Sequence, residues 1–289
     1  MGFLKTLAVP MVGEVLGRRR LWRFGRALYM SARGDLPAEI ATNGELGVQA
    51  RVLDAYGRVS PLVILDIGAN VGGWTQPLLD ETHRRGLTDF EIHAFEPVPE
   101  TFQALSERVK RHPLGGRVHL VPDAVSSSTG AAEISVYQEL GGGNSIDDDP
   151  SAAVLRKLPI KTVTVDAYCS GNNIKTIHLV KSDIEGHDMA ALLGAEALFD
   201  QQRIMVWQFE YNHRWVFARR FLKDAFDFIS RRPYKLAKVL PARVEVYDRW
   251  HPELERFFWS NYLLLHETTL KNFTVSRGSF DASNTYDAL

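Results

Sequence analysis

The sequence predicts a Rossmann-like, doubly wound α/β domain with a mostly parallel sheet and an N-terminal helical extension. Three observations carry this. Short continuous apolar runs alternate with helical segments from about residue 60, a glycine-rich turn closes the first run, and an acid closes the second. Continuous apolar strands are buried on both faces, and the helices between them supply the covering layers.

The first strand is expected over Leu62–Asp66, bounded by Pro61 and Gly68, with a helix over Gly72–Arg85. Phe90–Phe95 reads as the second strand and Pro99–His112 as a helix, since proline suits a first helical position. Val118–Val121 reads as the third strand. Ala132–Tyr137 and Lys161–Val165 alternate in the manner of antiparallel strands. Between them Gly141-Gly142-Gly143-Asn144-Ser145 and the acidic run Asp147–Asp149 read as a mobile connection. A central strand is expected over Thr176–Lys181, a helix over Met189–Glu196, a strand over Ile204–Phe209 and a long helix over Phe217–Arg231. Tyr234–Leu240, Val244–Tyr247 and Tyr262–Leu265 read as closing strands. The expected division is a helical extension or lid over 1–58, a binding domain over 59–268 and a loose polar tail over 269–289.

The bulk composition restricts the function classes. The chain has 289 residues, 45% hydrophobic and 24% charged, close to the globular average, so a sizeable core can be buried. A net charge of -1 gives no electrostatic argument for nucleic acid as the principal partner. The single cysteine, Cys169, has no partner for an internal disulfide, and a reducing, cytoplasmic setting is expected. No apolar run approaches the roughly 20 residues needed to span a bilayer. Up to residue 33, Lys5, Arg18, Arg19, Arg20, Arg23, Arg26 and Arg33 face a single acid, Glu14, with Leu16, Leu21, Trp22, Phe24, Leu28 and Tyr29 interleaved at helical spacing. This reads as a helix packed on the main domain, or as a lid or a surface for anionic membrane or an acidic substrate. Gly2 and Thr6 also fit a myristoylation pattern, one short enough to arise by chance.

The chemistry concentrates at the strand ends. A strand ending in Asp66, a turn through Gly68, Asn70, Gly72 and Gly73, and a helix with Thr75 in its first turn form a nucleotide-site arrangement. Gly68 permits a turn that a side chain would block, and Gly72 and Gly73 are expected to let the helix start approach a ligand. The Gly-x-Asn-x-Gly-Gly spacing departs from the dinucleotide fingerprint. The ligand expected here is therefore S-adenosylmethionine, whose aminoacyl and ribose parts pass the turn without a pyrophosphate. Glu96, closing the second strand, is placed to accept hydrogen bonds from ribose hydroxyls. Asp123 and Ala124, after the third strand, are placed at the adenine edge, or form a turn capped by Asp123.

Together with Val180-Lys181-Ser182-Asp183-Ile184-Glu185-Gly186-His187-Asp188, these residues resemble the FkbM family of methyltransferases. Leu65-Asp66-x-Gly68-Ala69-Asn70-x-Gly72 is similar to the family's opening, Glu96-Pro97 to its second element, and Lys181-x-Asp183-x-Glu185-Gly186 to its third. Glu210 stands where the family often carries an acid. Ser182 replaces a usual apolar residue and Asp188 a usual glutamate. The resemblance covers roughly residues 60–212. It implies a class I methyltransferase fold, S-adenosylmethionine as donor, and O-methylation of a sugar, glycan or polyketide-type product.

A hydroxyl acceptor needs help losing its proton. The candidate catalytic residues are Asp183, Glu185, His187 and Glu210. In the favoured route His187 or a carboxylate takes the proton directly. In the other, Asp183, Glu210 and Asn212 hold Mg²⁺. The bland readings are that Asp183 and Glu185 cap the helix near Gly186, and that Lys181 pairs with one of them. His213 and Trp215 could meet a sugar face or belong to the core, and Trp250, Phe257, Phe258 and Trp259 read as an apolar wall or as a carbohydrate platform. Other classes remain open: a nicotinamide oxidoreductase, a non-catalytic binding protein on the same fold, and a nucleic-acid methylase.

Overall fold

The computed structural model describes residues 17–35 and 39–288. Lys5, Glu14, Leu16 and the Gly2/Thr6 pattern lie outside the described residues. The chain divides into two units, 1–37 and 38–289, so the boundary falls earlier than the expected residue 58. In the first, helix α1 (Arg18–Ala32) carries five arginines together with Trp22, Phe24 and Leu28, and buries none of its residues. Among the described residues no helix is long and apolar enough to cross a membrane.

The second unit is built on a ten-stranded sheet. After α2 (Glu45–Tyr56) come β1 (Leu62–Ile67), α3 (Thr75–Arg84), β2 (Phe90–Phe95), α4 (Pro99–Lys110) and β3 (Val118–Val121). Further on lie α5 (Val165–Gly171), β7 (Leu179–Ser182), α6 (Asp188–Leu193), α7 (Glu196–Asp200), β8 (Val206–Tyr211) and α8 (Leu222–Ile229). The chain closes with β9 (Tyr234–Val239), β10 (Val244–Tyr247), β11 (Ser260–His266), β12 (Val275–Phe280) and β13 (Tyr286–Ala288). The sheet order is β13-β12-β10-β9-β11-β8-β7-β1-β2-β3. Strands β3, β2, β1, β7 and β8 are mutually parallel, whereas β11 runs antiparallel between β8 and β9. This is the Rossmann-like, doubly wound fold the sequence predicts.

Alternation along β1 divides the core. Leu62 and Ile64 pack on one face with Val48 and Val52 of α2 and Leu78 and Leu79 of α3. Val63, Leu65 and Ile67 pack on the other with Cys169, Leu192, Phe199 and Phe228. Every residue of β1 is buried, so its unbroken apolar character follows from helices on both sides. Between β3 and α5 a second sheet, ordered β4-β6-β5, is formed by β4 (Ala124–Val125), β5 (Gly130–Val136) and β6 (Arg156–Val163).

Several elements differ from the sequence reading. α3 starts at Thr75, because residues 71–74 form turns instead of helix. The expected helix over Met189–Glu196 is split into α6 and α7. The long helix expected from Phe217 begins only at Leu222, where the Asp224 carboxylate accepts the Phe221 N–H. The expected polar tail contains β12, parallel to β10, and β13, antiparallel to β12; Phe280 of β12 is buried in the larger core.

Candidate active site

The sheet order turns at β1: β2 and β3 lie to one side of it, β7 and β8 to the other. Ligands bind such sheets in the crevice at the carboxyl ends of the strands beside this switch point. There the loops after β1, β2, β3 and β7 enclose roughly 740 Å³ of empty space, part of it open to solvent.

Gly68 ends β1 with φ +82°, and a Cβ there would stand 2.2 Å from the carbonyl oxygen of Asp183. Only glycine lets the β1 and β7 loops approach this closely. Asn70 follows with φ 47°, its side chain accepting its neighbour Val71's N–H at 2.8 Å. Its own N–H donates to Glu96 Oε2 at 3.1 Å, and the Val98 N–H donates to Glu96 Oε1 at 2.9 Å. Burial pushes the Glu96 carboxyl up to about 7, against the two N–H donors that favour the ion. Gly68, Asn70, Glu96, Asp123 and Ala124 all line the cavity. So does Thr101, whose buried hydroxyl has no hydrogen-bond partner among the described residues.

Asp66, Gly72 and Thr75, expected to contact the ligand, lie behind the cavity lining. Asp66 is buried and accepts from Thr75 Oγ1 at 2.5 Å, which closes the turn from within. Burial raises the Asp66 carboxyl to about 7, partly opposed by that bond. A Cβ on Gly72 would meet the side chains of Leu105 and Arg108 at 3.0 and 3.3 Å. The glycine therefore serves packing against α4.

The opposite wall comes from the β7 loop. Asp183, Glu185 and His187 line the cavity. Asp183 Oδ2 accepts from Lys181 Nζ at 3.1 Å. Lys181 is itself buried, with Glu45 Oε2 at 3.5 Å and Asn261 Oδ1 at 3.3 Å. Burial alone would lower the Lys181 pKa; Asp183, Glu45 and Glu210 reverse this and hold it above the ordinary lysine range. Ser182 and Asp188, the two departures from the family pattern, are both fully buried and hydrogen-bonded to each other. A hydroxyl in place of an apolar side chain is matched by the shorter acid that meets it. Burial raises Asp188 to about 6.

Glu185 adopts φ 55° and pairs with Arg214 Nε at 3.0 Å. Burial, then the Asp183 charge, raise its carboxyl to about 7, opposed by Arg214. Arg214 also donates to the Gly143 carbonyl at 3.1 Å and lies over the Tyr137 ring. The glycine loop, which reads from sequence as a mobile connection, is thus tied down and lines the cavity with Gly141, Gly142 and Gly143. His187 is held at both ring nitrogens: Nδ1 stands 2.8 Å from Asp147 Oδ2 and Nε2 stands 2.9 Å from Ser126 Oγ. Arg214 and Ser126 carry no signal in the sequence, and Asp147 belongs there only to an acidic connection.

Glu210 and Asn212 stand apart from the cavity lining. The Asn212 amide donates to Glu210 Oε2 at 2.7 Å, while its oxygen accepts the Arg214 N–H at 2.8 Å. Burial, then Asp183, push the Glu210 carboxyl well above its ordinary range. Trp215 is core, its indole N–H donating to the Glu210 carbonyl at 2.9 Å. Trp259 is 55% exposed and meets His213 edge-on at 6.0 Å between centroids. It immediately precedes β11, at the same sheet edge as the β8 terminus.

Comparison with known proteins places these features in context. Residues 66–236 match the family model described as the methyltransferase FkbM domain. The chain is 28% identical to the 31-O-demethyl-FK506 methyltransferase FkbM of Streptomyces tacrolimicus, over 46% of this chain and 59% of that protein. It is also 28% identical to the hexuronic acid methyltransferase AglP of Haloferax volcanii, over 46% of this chain and 49% of that protein. The chain therefore spans about half the length of these relatives. A solved methyltransferase FkbM from Methylobacillus flagellatus superposes with a TM-score of 0.45 at 18% identity, covering 74% of this chain and 47% of the other.

Proposed function

Because the chain belongs to the FkbM family of methyltransferases, we propose that it transfers a methyl group from S-adenosylmethionine to a hydroxyl of a sugar, glycan or polyketide-type acceptor. One observation carries the reading. The glycine bend after β1, the acid after β2 and the acid-rich loop after β7 converge on one cleft at the switch point.

The cleft's chemistry fits the donor. Glu96 offers a carboxylate to vicinal ribose hydroxyls, and Thr101 a buried hydroxyl in need of a partner. Asp183 and Glu185 supply negative charge beside a sulfonium. When bound, S-adenosylmethionine supplies an activated methyl group that an acceptor oxygen displaces in line.

The chain's own residues then orient the acceptor and remove its proton. His187 is proposed as the base, with Asp147 on Nδ1 fixing the ring and stabilising the imidazolium. Its Nε2 is engaged by the buried Ser126 hydroxyl, a bond that must open for the ring to take the acceptor's proton. Asp183 and Glu185, held by Lys181 and Arg214, position the acceptor. An acid-lined wall favours a neutral hydroxyl over a carboxylate acceptor by simple repulsion. The route proposed is metal-free, supported by the Asn212 amide already engaging Glu210 and the Arg214 backbone. The similarity to a 31-O-demethyl-FK506 methyltransferase supports an oxygen acceptor of this class.

The test is a screen of glycosides and hydroxylated polyketides with isotope-labelled S-adenosylmethionine. The expected product is an alkali-stable methyl ether, formed at a rate independent of added Mg²⁺. Alkali-labile esters as the sole products would overturn the hydroxyl assignment. Absence of any heat of binding with S-adenosylmethionine would overturn the donor.

A further inference from the structure

Outside the cleft, β2 and β3 bring together two histidines and a glutamate that the methyltransferase reading does not use. Glu91 and His93 are two residues apart on β2 and share a face. His119 on the edge strand β3 is the register partner of His93. One ligand-capable atom from each lies within 4.8 Å of the other two. His93 Nε2 is buried, makes no hydrogen bond among the described residues, and faces Glu91 Oε2 at 3.5 Å. A tetrahedral Zn²⁺ with bonds of about 2.1 Å holds its donors roughly 3.4 Å apart, so the Glu91–His93 pair already has a ligand's spacing. His119 is exposed and stacks on His93 at 4.6 Å between centroids, free on its outer side to swing the remaining distance.

We propose that Glu91, His93 and His119 form a binding site for a late transition-metal dication of the Zn²⁺ class, with the fourth position open to water. Two imidazoles and one carboxylate suit such a cation and not Mg²⁺ or Ca²⁺, which prefer all-oxygen shells. The surroundings are those of a metal-bound histidine. His93 Nδ1 stands 2.8 Å from the Tyr168 hydroxyl of α5, an outer partner that fixes the ring and directs Nε2 toward the cation. The cation would clamp the edge strand β3 to β2, the two strands whose ends carry Asp123 and Glu96.

Calorimetry of Zn²⁺ into the metal-stripped full-length chain tests this directly, with Co²⁺ as a spectroscopic probe. One equivalent of Zn²⁺ should bind with micromolar affinity, and Co²⁺ should give the intense visible bands of a four-coordinate site. His119→Ala and Glu91→Gln, at solvent-accessible positions where the fold tolerates change, should each abolish both signals. Tyr168→Phe should weaken binding by about tenfold or more. Zn²⁺ should raise the Tm of the parent chain and leave that of His119→Ala unchanged. Absence of stoichiometric Zn²⁺ binding, equal competition by Mg²⁺, or retained binding in both His119→Ala and Glu91→Gln would each overturn the site. None of these readouts involves methyl transfer.

Discussion

Glu96 spends one lone pair of each carboxylate oxygen on backbone N–H groups from two different loops. The second lone pair of each is left toward the cleft, so the residue orders the bend after β1 and presents an acceptor to a ribose. Glu96→Ala should weaken S-adenosylmethionine binding by about 1.5–3 kcal/mol, the value of hydrogen bonds to a charged group, measured by calorimetry. Asp147 acts at one remove. Asp147→Asn should leave donor affinity unchanged and lower kcat by about a hundredfold or more, since the His187 imidazolium then lacks its counter-charge. A donor affinity that falls along with kcat would instead assign Asp147 to holding the cleft together. Trp259→Ala should raise acceptor KM roughly two- to tenfold, the value of one aromatic face, without touching donor binding. The acids at 66, 96, 183, 185 and 210 were legible in the sequence because strand-end acids after apolar runs stand out. Arg214, Asp147 and Ser126 were not, because they meet Glu185 and His187 from separate loops and no local spacing records that approach.

At the scale of elements, legibility followed burial. β2 and β3 occupy the residues expected of them, Phe90–Phe95 and Val118–Val121, and β1 extends one residue beyond its expected end. β12 reads as tail because Val275-Ser-Arg-Gly-Ser-Phe280 exposes half of its residues and buries only Gly278 and Phe280. A strand near the sheet's margin needs no long apolar run, so its pattern merges with that of a polar loop. Phe280 nonetheless packs against His251 with rings stacked at 4.5 Å and joins the main core. Phe280→Ala should therefore cost about 3 kcal/mol, or roughly 10 °C in Tm. A change of less than a degree in calorimetric unfolding would return this segment to the status of a tail.

At the scale of the whole molecule, the cleft and the core beneath it gather carboxyls whose proton affinity the fold has raised. Asp66, Glu96 and Glu185 stand at about 7 and Asp188 at about 6, each chiefly through burial. Unfolded, they ionise near 4, so between about pH 4 and pH 7 the folded chain binds more protons than the unfolded one. The contribution of these groups is fully present below the unfolded values and is lost as pH rises through the folded ones. Unfolding free energy from urea titrations should therefore fall between about pH 5 and pH 7.5, then level off. Exposed pairs such as Glu81 with Arg84 are ionised throughout that window and do not offset the trend. Saturating donor should flatten the slope, because ribose hydroxyls favour the ionised Glu96. A stability that rises over the same window would mean that these acids are ionised in the ligand-free protein.

The antiparallel position of β11 between β8 and β9 sets an order of events during synthesis. β8 carries Trp207, Phe209 and Tyr211, and its outer edge stays unpaired until residues 260–266 have emerged from the ribosome. β9 cannot join the sheet before then, because its only route to β8 runs through β11. Nascent chains halted just after β9 should accordingly hold a half-sheet with a sticky margin and depend on chaperones, whereas chains released past β11 should close spontaneously.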